Sequence, residues 1–152
     1  MPLMQSRATA VWEGDVRTGA GRFTVGSGAF PEQTVTLAHR TESQQGHTNP
    51  EELIAAAHAL CYSMAFSAAL SKAKTPPERL EVNATCSLDR VDEGLKISRM
   101  DLTVRGDVPG IEASEFEKMA RAAEQACPVS NALRGNVEIH LDVQALTPSN
   151  AG

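Results

Sequence analysis

Paired β-strands with helices inserted between the pairs predict an α+β fold with largely antiparallel sheets. Three observations carry this reading. Two alternating segments flank a glycine-rich turn near the N-terminus. A long, almost wholly apolar helix follows. A second pair of alternating strands then leads through an amphipathic helix to a last strand. The 152 residues make one ordinary domain, 1–152, with neither linkers nor repeats.

Residues 6–14 alternate around Ala8, Ala10 and Trp12, GDVRTGAGR supplies the turn, and a second strand follows near Phe23 and Val25. After a turn from Gly26 to Pro31, Thr34 to Arg40 reads as a third strand, with Val35 and Leu37 on one face and Arg40 at its end. The polar run Thr41 to His47 is a loop leading to the stretch TNPEELIAAAHALCYSMAFSAALSKA, Thr48 to Ala73. Asn49 can cap a helix there, Pro50 suits its first position, and Glu52 completes a capping box. From Leu53 to Leu70 the residues are apolar or small on every face, as expected of a helix enclosed by other elements. Thr75, Pro76 and Pro77 end it.

Leu80, Val82, Ala84, Cys86 and Leu88 alternate with polar residues in a half-buried strand. Asp92, Glu93 and Gly94 turn the chain into a partner strand, Leu95 to Val104, whose apolar phase slips between Ile97 and Met100. A β-bulge at Ser98 or Arg99 accounts for the slip. Ser114 and Glu117 form a second capping box, opening a helix with Phe116, Met119, Ala120, Ala123, Ala126 and Cys127 as its apolar positions. Pro128 stops that helix, Ser130 to Leu133 can add one short turn, and Val137, Ile139, Leu141 and Val143 mark a last strand before a small polar tail. Long central helices against curved sheets would pack well as a dimer.

A net charge of -5, without a basic stripe or aromatic clusters, argues against nucleic acid as the main partner. The start MPLMQSRATAVWEGD has neither signal nor transit character, so the expected location is cytoplasmic. Three cysteines fit a reducing compartment, where a disulfide would be transient and catalytic. Leu53 to Leu70 has about the length of a minimal membrane span. It is Ala-rich and carries His58, Ser63 and Ser67, so it reads as a buried helix with no membrane partner.

Cys61 and Cys127 lie on apolar faces of different helices, both pointing towards the core. A desolvated thiol needs a nearby cation to become a nucleophilic thiolate. Arg40 can supply one through its planar fork, which a carboxylate such as Glu51 can hold. Each also has a plainer reading: a small core residue for either cysteine, a solvated strand-end charge for Arg40, and a carboxylate favoured by the helix dipole for Glu51. Cys86 keeps the packing role. Glu51 and Cys61 are ten positions apart on one helix, roughly 15 Å along its axis, so a site using both is built by two chains. His58 shares a face with Cys61 and is a packing residue, a base, or, with both cysteines, part of a zinc site. No phosphate loop, Ser/His/Asp set or paired-carboxylate site stands out.

TNPEELIAAAHALCYSMA and ACPVSNAL, with WEGD near the start and VPGI before the second helix, resemble the OsmC/Ohr family of osmotically induced and organic hydroperoxide resistance proteins, closer to the OsmC branch. The resemblance implies an intertwined homodimer with two interface sites, and thiol peroxidase activity on organic hydroperoxides without metal, haem or other cofactor. By position, Cys61 matches the peroxidatic cysteine, Cys127 the resolving cysteine and Glu51 the carboxylate that holds the catalytic arginine. Arg40 fits the OsmC-type arginine position, with Arg17 and Arg22 as runners-up. It further implies a Cys61–Cys127 disulfide reopened by a dithiol reductant of lipoyl type. An apolar lining from Leu53, Leu60, Met64 and Phe116 would favour alkyl or lipid peroxides over hydrogen peroxide. The alternatives are a dimeric stress-response protein that holds an apolar ligand with little turnover, and a zinc–thiolate site.

Overall fold

The computed structural model describes residues 1–42 and 45–146, in two compact units, 1–53 and 54 onward. Part of the expected Thr41–His47 loop and the polar tail beyond residue 146 lie outside the described residues.

The first unit is a three-stranded antiparallel meander of β1 (Ala8–Glu13), β2 (Ala20–Val25) and β3 (Gln33–Val35). Trp12 pairs with Gly21, and its ring lies so close over that strand that a Cβ on Gly21 would come within 2.6 Å of it. Glycine is therefore what seats the indole here. The expected third strand from Thr34 to Arg40 is only half a strand, because α1 (Leu37–Thr41) takes over. Thr36 Oγ1 accepts the His39 N–H while His39 Nδ1 accepts the Thr36 N–H, a reciprocal capping box that outcompetes continued pairing. Arg40 consequently sits in a helical turn, not at a strand end.

Helix α2 (Pro50–Lys72) begins as anticipated, with Asn49 Oδ1 accepting the Glu52 N–H at 2.8 Å. It ends where Lys74, at φ +65°, closes the last turn: Thr75 N–H bonds to the Leu70 carbonyl and Lys74 N–H to that of Ser71.

The second unit has a sheet in the order β4 (Arg79–Val91), β5 (Gly94–Asp107), β6 (Glu138–Leu146). Strands β4 and β5 form the expected hairpin, and the pairing jumps from Ser87–Arg99 to Leu88–Ile97, which makes Ser98 the bulged residue. Strand β6 runs parallel to β5, since α3 (Ala113–Ala126) and α4 (Pro128–Leu133) carry the chain back across the sheet before it re-enters. The Ser114–Glu117 box does not form. Helix α3 starts two residues earlier, with extended Glu112 at the cap position and the Phe116 N–H bonded to the Glu112 carbonyl, so Ser114 already lies inside the first turn.

The core of this unit joins Tyr62, Phe66 and Leu70 of α2, Leu102 and Val104 of β5, and Phe116, Ala120 and Ala123 of α3. Gly106 makes room for the Phe116 ring, which a Cβ there would meet at 2.9 Å. The whole-surface burial expected of α2 is realised on one face only. His58, Tyr62, Phe66 and Leu70 are buried, whereas Leu60 and Met64 on the opposite side are each 64% exposed. Among the described residues nothing covers that apolar face. By length and composition α2 could also cross a membrane, yet its buried stripe belongs to the core just described.

Candidate active site

Arg40 and Glu51 meet within the first unit. The α1 turn aims the guanidinium at the N-terminal turn of α2, and Asn49 Nδ2 fixes that approach by donating to the His39 carbonyl at 3.2 Å. Arg40 Nε and Nη2 then converge on Glu51 Oε1, at 2.9 and 2.7 Å. Glu51 is buried while the Arg40 side chain stays 35% exposed, so the carboxylate anchors a cation that still reaches solvent. Of the runners-up, Arg22 pairs with exposed Glu13 and Arg17 lies in the turn organised by Asp15.

Arg40 borders an apolar groove of about 700 Å³ whose walls include Trp12, Phe23, Val35, Leu37 and Leu53. Of the four residues expected to line an apolar site, Leu53 does so here and Leu60 and Met64 lie on the uncovered face of α2. Phe116 is instead buried in the core between Phe66 and Gly106.

Cys61 and Cys127 meet within the second unit. Cys61 sits midway along α2, and Cys127 ends α3 and begins α4, its backbone extended (φ -68°, ψ 119°). Cys61 packs against the core cluster that holds Cys127, and the Cys127 thiol and the Val129 N–H both act on it at short range. Burial, chiefly, pushes the Cys61 thiol above its ordinary value; the Cys127 thiol pushes the same way and the Val129 N–H opposes both. Within this unit the thiol pair is thus assembled but Cys61 is not activated. Cys127 is fully buried.

His58, one turn before Cys61, is fully buried and bonds through Nε2 to Ser130 Oγ at 2.7 Å, leaving Nδ1 without a partner among the described residues. It serves as a hydrogen-bonded packing residue. Among the described residues no group of three or more His, Cys, Asp or Glu side chains could hold a metal ion. Sequence reasoning missed Ser130 and the pair formed by buried Glu124 and Arg134 (2.9 Å), because both contacts join positions remote in sequence or period. Cys86 faces Met100 across the β4–β5 pair and is half-buried.

Residues 42–142 match the family model described as OsmC-like protein. The chain is 42% identical over 141 residues to the peroxiredoxin OsmC of Escherichia coli (strain K12), a match covering 93% of this chain and 96% of that protein. It is 36% identical over 106 residues to the organic hydroperoxide resistance protein OhrA of Bacillus subtilis (strain 168), covering 68% and 72%. Among solved structures, an organic hydroperoxide resistance protein from Elizabethkingia anophelis superposes with a TM-score of 0.77 at 27% identity, over 95% of this chain and 98% of that one.

Proposed function

Because this chain belongs to the OsmC-like protein family, we propose that it is a cysteine-based peroxidase that reduces organic hydroperoxides to alcohols. The observation that carries the proposal is the packing of Cys61 against the core cluster that holds fully buried Cys127. The Cys61 thiolate attacks the distal peroxide oxygen; the O–O bond breaks, the alcohol departs with a proton, and Cys61 is left as a sulfenic acid. The Cys127 sulfur attacks that sulfenic sulfur, the S–O bond breaks, and the oxygen leaves as water with the Cys127 proton. A dithiol, by resemblance of lipoyl type, reopens the disulfide by exchange and is itself oxidised.

The working unit in this reading is a homodimer. Burial opposes thiolate formation at Cys61, so a cation is needed, and Arg40 held by Glu51 is the group suited to give it. Glu51 and Cys61 occupy one rigid helix ten positions apart, so the Arg40–Glu51 pair of one subunit serves the partner subunit's Cys61. The uncovered apolar face around Leu60 and Met64 supports such pairing. The reading also puts the protein in the cytoplasm, where both thiols stay reduced between turnovers. The groove beside Arg40 favours alkyl over small polar peroxides. The same groove supports a second reading, a stress-response protein that holds an apolar ligand with little turnover.

The deciding experiment adds one equivalent of cumene hydroperoxide to reduced protein, quenches by alkylation and maps the cysteines by mass. The proposal expects a fast Cys61–Cys127 disulfide with Cys86 still alkylated. Three unchanged thiols would end it and favour ligand binding.

A further inference from the structure

The Cys127 corner is tied down on two sides. Towards α3, Arg134 bonds to the Glu124 carboxylate at 2.9 Å and to the Glu124 carbonyl at 3.3 Å, while Asn131 Nδ2 bonds to the Gln125 carbonyl at 3.0 Å. Towards α2, His58 Nε2 bonds to Ser130 Oγ at 2.7 Å, both residues fully buried. His58 lies three residues before Cys61 and Ser130 three residues after Cys127, so this bond spans the same two elements as the thiol pair, one turn away on each. His58 Nδ1 is buried without a hydrogen-bond partner among the described residues. An orphaned lone pair costs less than an orphaned N–H. The imidazole is therefore assigned as neutral, with Nε2–H donating to Ser130.

We propose that the His58–Ser130 hydrogen bond is a latch that holds the α4 corner against α2, so that Cys127 stays in reach of Cys61 when disulfide closure brings the sulfurs to covalent distance. His58 and Ser130 are positioning residues: neither touches the peroxide. The inference rests on the peroxidase reading for the oxidant that normally triggers closure, and it deepens that reading by naming what fixes the geometry of the second step. At that step the Cys127 sulfur displaces oxygen from the Cys61 sulfenic sulfur, and its proton leaves with that oxygen as water. A corner that can swing away from α2 slows this displacement and leaves the sulfenic acid exposed to further oxidation.

The test compares two rates after one equivalent of cumene hydroperoxide: peroxide loss, and appearance of the Cys61–Cys127 disulfide. In Ser130→Ala the ratio of the second to the first falls about tenfold, the scale for a lost buried hydrogen bond that strands its partner, and dimedone captures Cys61 sulfenic acid. His58→Phe, which fills the space without the donor, behaves alike, and the double variant falls no further than either single one. His58→Gln places an amide N–H near the position of Nε2 and recovers most of the ratio, which a purely space-filling role would not allow. A ratio within twofold of wild type in Ser130→Ala, or losses that add in the double variant, overturns the latch. Diamide drives the two thiols to a disulfide without any hydroperoxide and separates this inference from the reading beneath it. If wild-type protein ignores the hydroperoxide but diamide closure is slower in Ser130→Ala, the peroxidase reading falls and the latch stands. If diamide closure is equally fast in both, the latch falls whatever the hydroperoxide does.

Discussion

Glu51 takes two nitrogens of Arg40 on a single oxygen, Oε1, and keeps its second oxygen, Oε2, buried without a hydrogen-bond partner among the described residues. The carboxylate is the fixed member of the pair, since it is buried on a helix while the guanidinium reaches solvent. Glu51→Gln retains the shape but removes the charge that holds the fork. The bimolecular rate with an organic hydroperoxide is expected to fall on the order of 10²-fold, the scale for removing one preorganised charge-stabilising group. Arg40→Lys should fall similarly, because a single ammonium cannot reproduce the fork. Stopped-flow rates alongside thermal melts check this; a melting point that drops with an unchanged rate would make the pair structural only.

Arg40 should also govern the titration of Cys61. In its own unit, burial and Cys127 raise the Cys61 thiol above its ordinary 9.0. Any activation at neutral pH must come from an added cation, which favours the thiolate. Arg40→Gln is therefore expected to move the pH midpoint of Cys61 alkylation upward by one unit or more, about 1.4 kcal/mol per unit. Iodoacetamide rates between pH 6 and 10, followed at the Cys61 peptide, give the midpoint. Superimposable profiles for wild type and variant would remove Arg40 from the thiol's surroundings.

Much of this was legible where local chemistry decides structure. Asn49 and Pro50 mark the start of α2, and the slip in alternation between Ile97 and Met100 marks the bulge at Ser98, because a period of two cannot absorb an extra residue silently. Thr34 to Arg40 misled because the capping partner of Thr36 is His39, in place of the usual Glu or Gln. The direction of β6 was illegible for another reason: alternation records which face is buried and says nothing about which way the neighbouring strand runs. In α2 uniform apolarity erased the contrast between a face covered by its own chain and a face left open. The Arg40–Glu51 and Cys61–Cys127 contacts were within reach because their residue types carry chemistry. The tie from His58 to Ser130 crosses 72 positions with no local pattern to announce it.

Buried His58 makes the fold acid-sensitive. Burial, the largest influence, holds it below its ordinary 6.5; the Glu124 carboxylate opposes the depression and the Arg134 guanidinium adds to it. Between the folded and unfolded values the unfolded chain binds a proton that the folded chain refuses, so stability rises with pH there. The contribution is complete above pH 6.5 and is lost as pH falls through the lower, folded value. Urea midpoints at several values from pH 7.5 down to 5 should decline, and His58→Gln should flatten the decline even if its midpoint at pH 7.5 is lower. An equal decline in both would assign the acid sensitivity to other groups.

Leu60 and Met64 offer the sharpest test of assembly. They lie one turn apart on α2, each 64% exposed, on the side away from buried Tyr62 and Phe66. Burying one such side chain is worth about 1.5–3 kcal/mol, so two of them at a twofold interface count four times in a dimer. Replacing both by glutamate puts like charges where the apolar faces would meet, at little cost to a single chain whose core does not use them. The double variant Leu60→Glu, Met64→Glu is expected to sediment as a monomer with unaltered helical circular dichroism. Its peroxide consumption should collapse, although Cys61, Cys127, Arg40 and Glu51 are all intact. Diamide should still close the Cys61–Cys127 disulfide in it, because that pair meets within one chain. A monomer with full peroxidase activity would show that one chain suffices for the site, and an unperturbed dimer would direct the search for the interface to another surface.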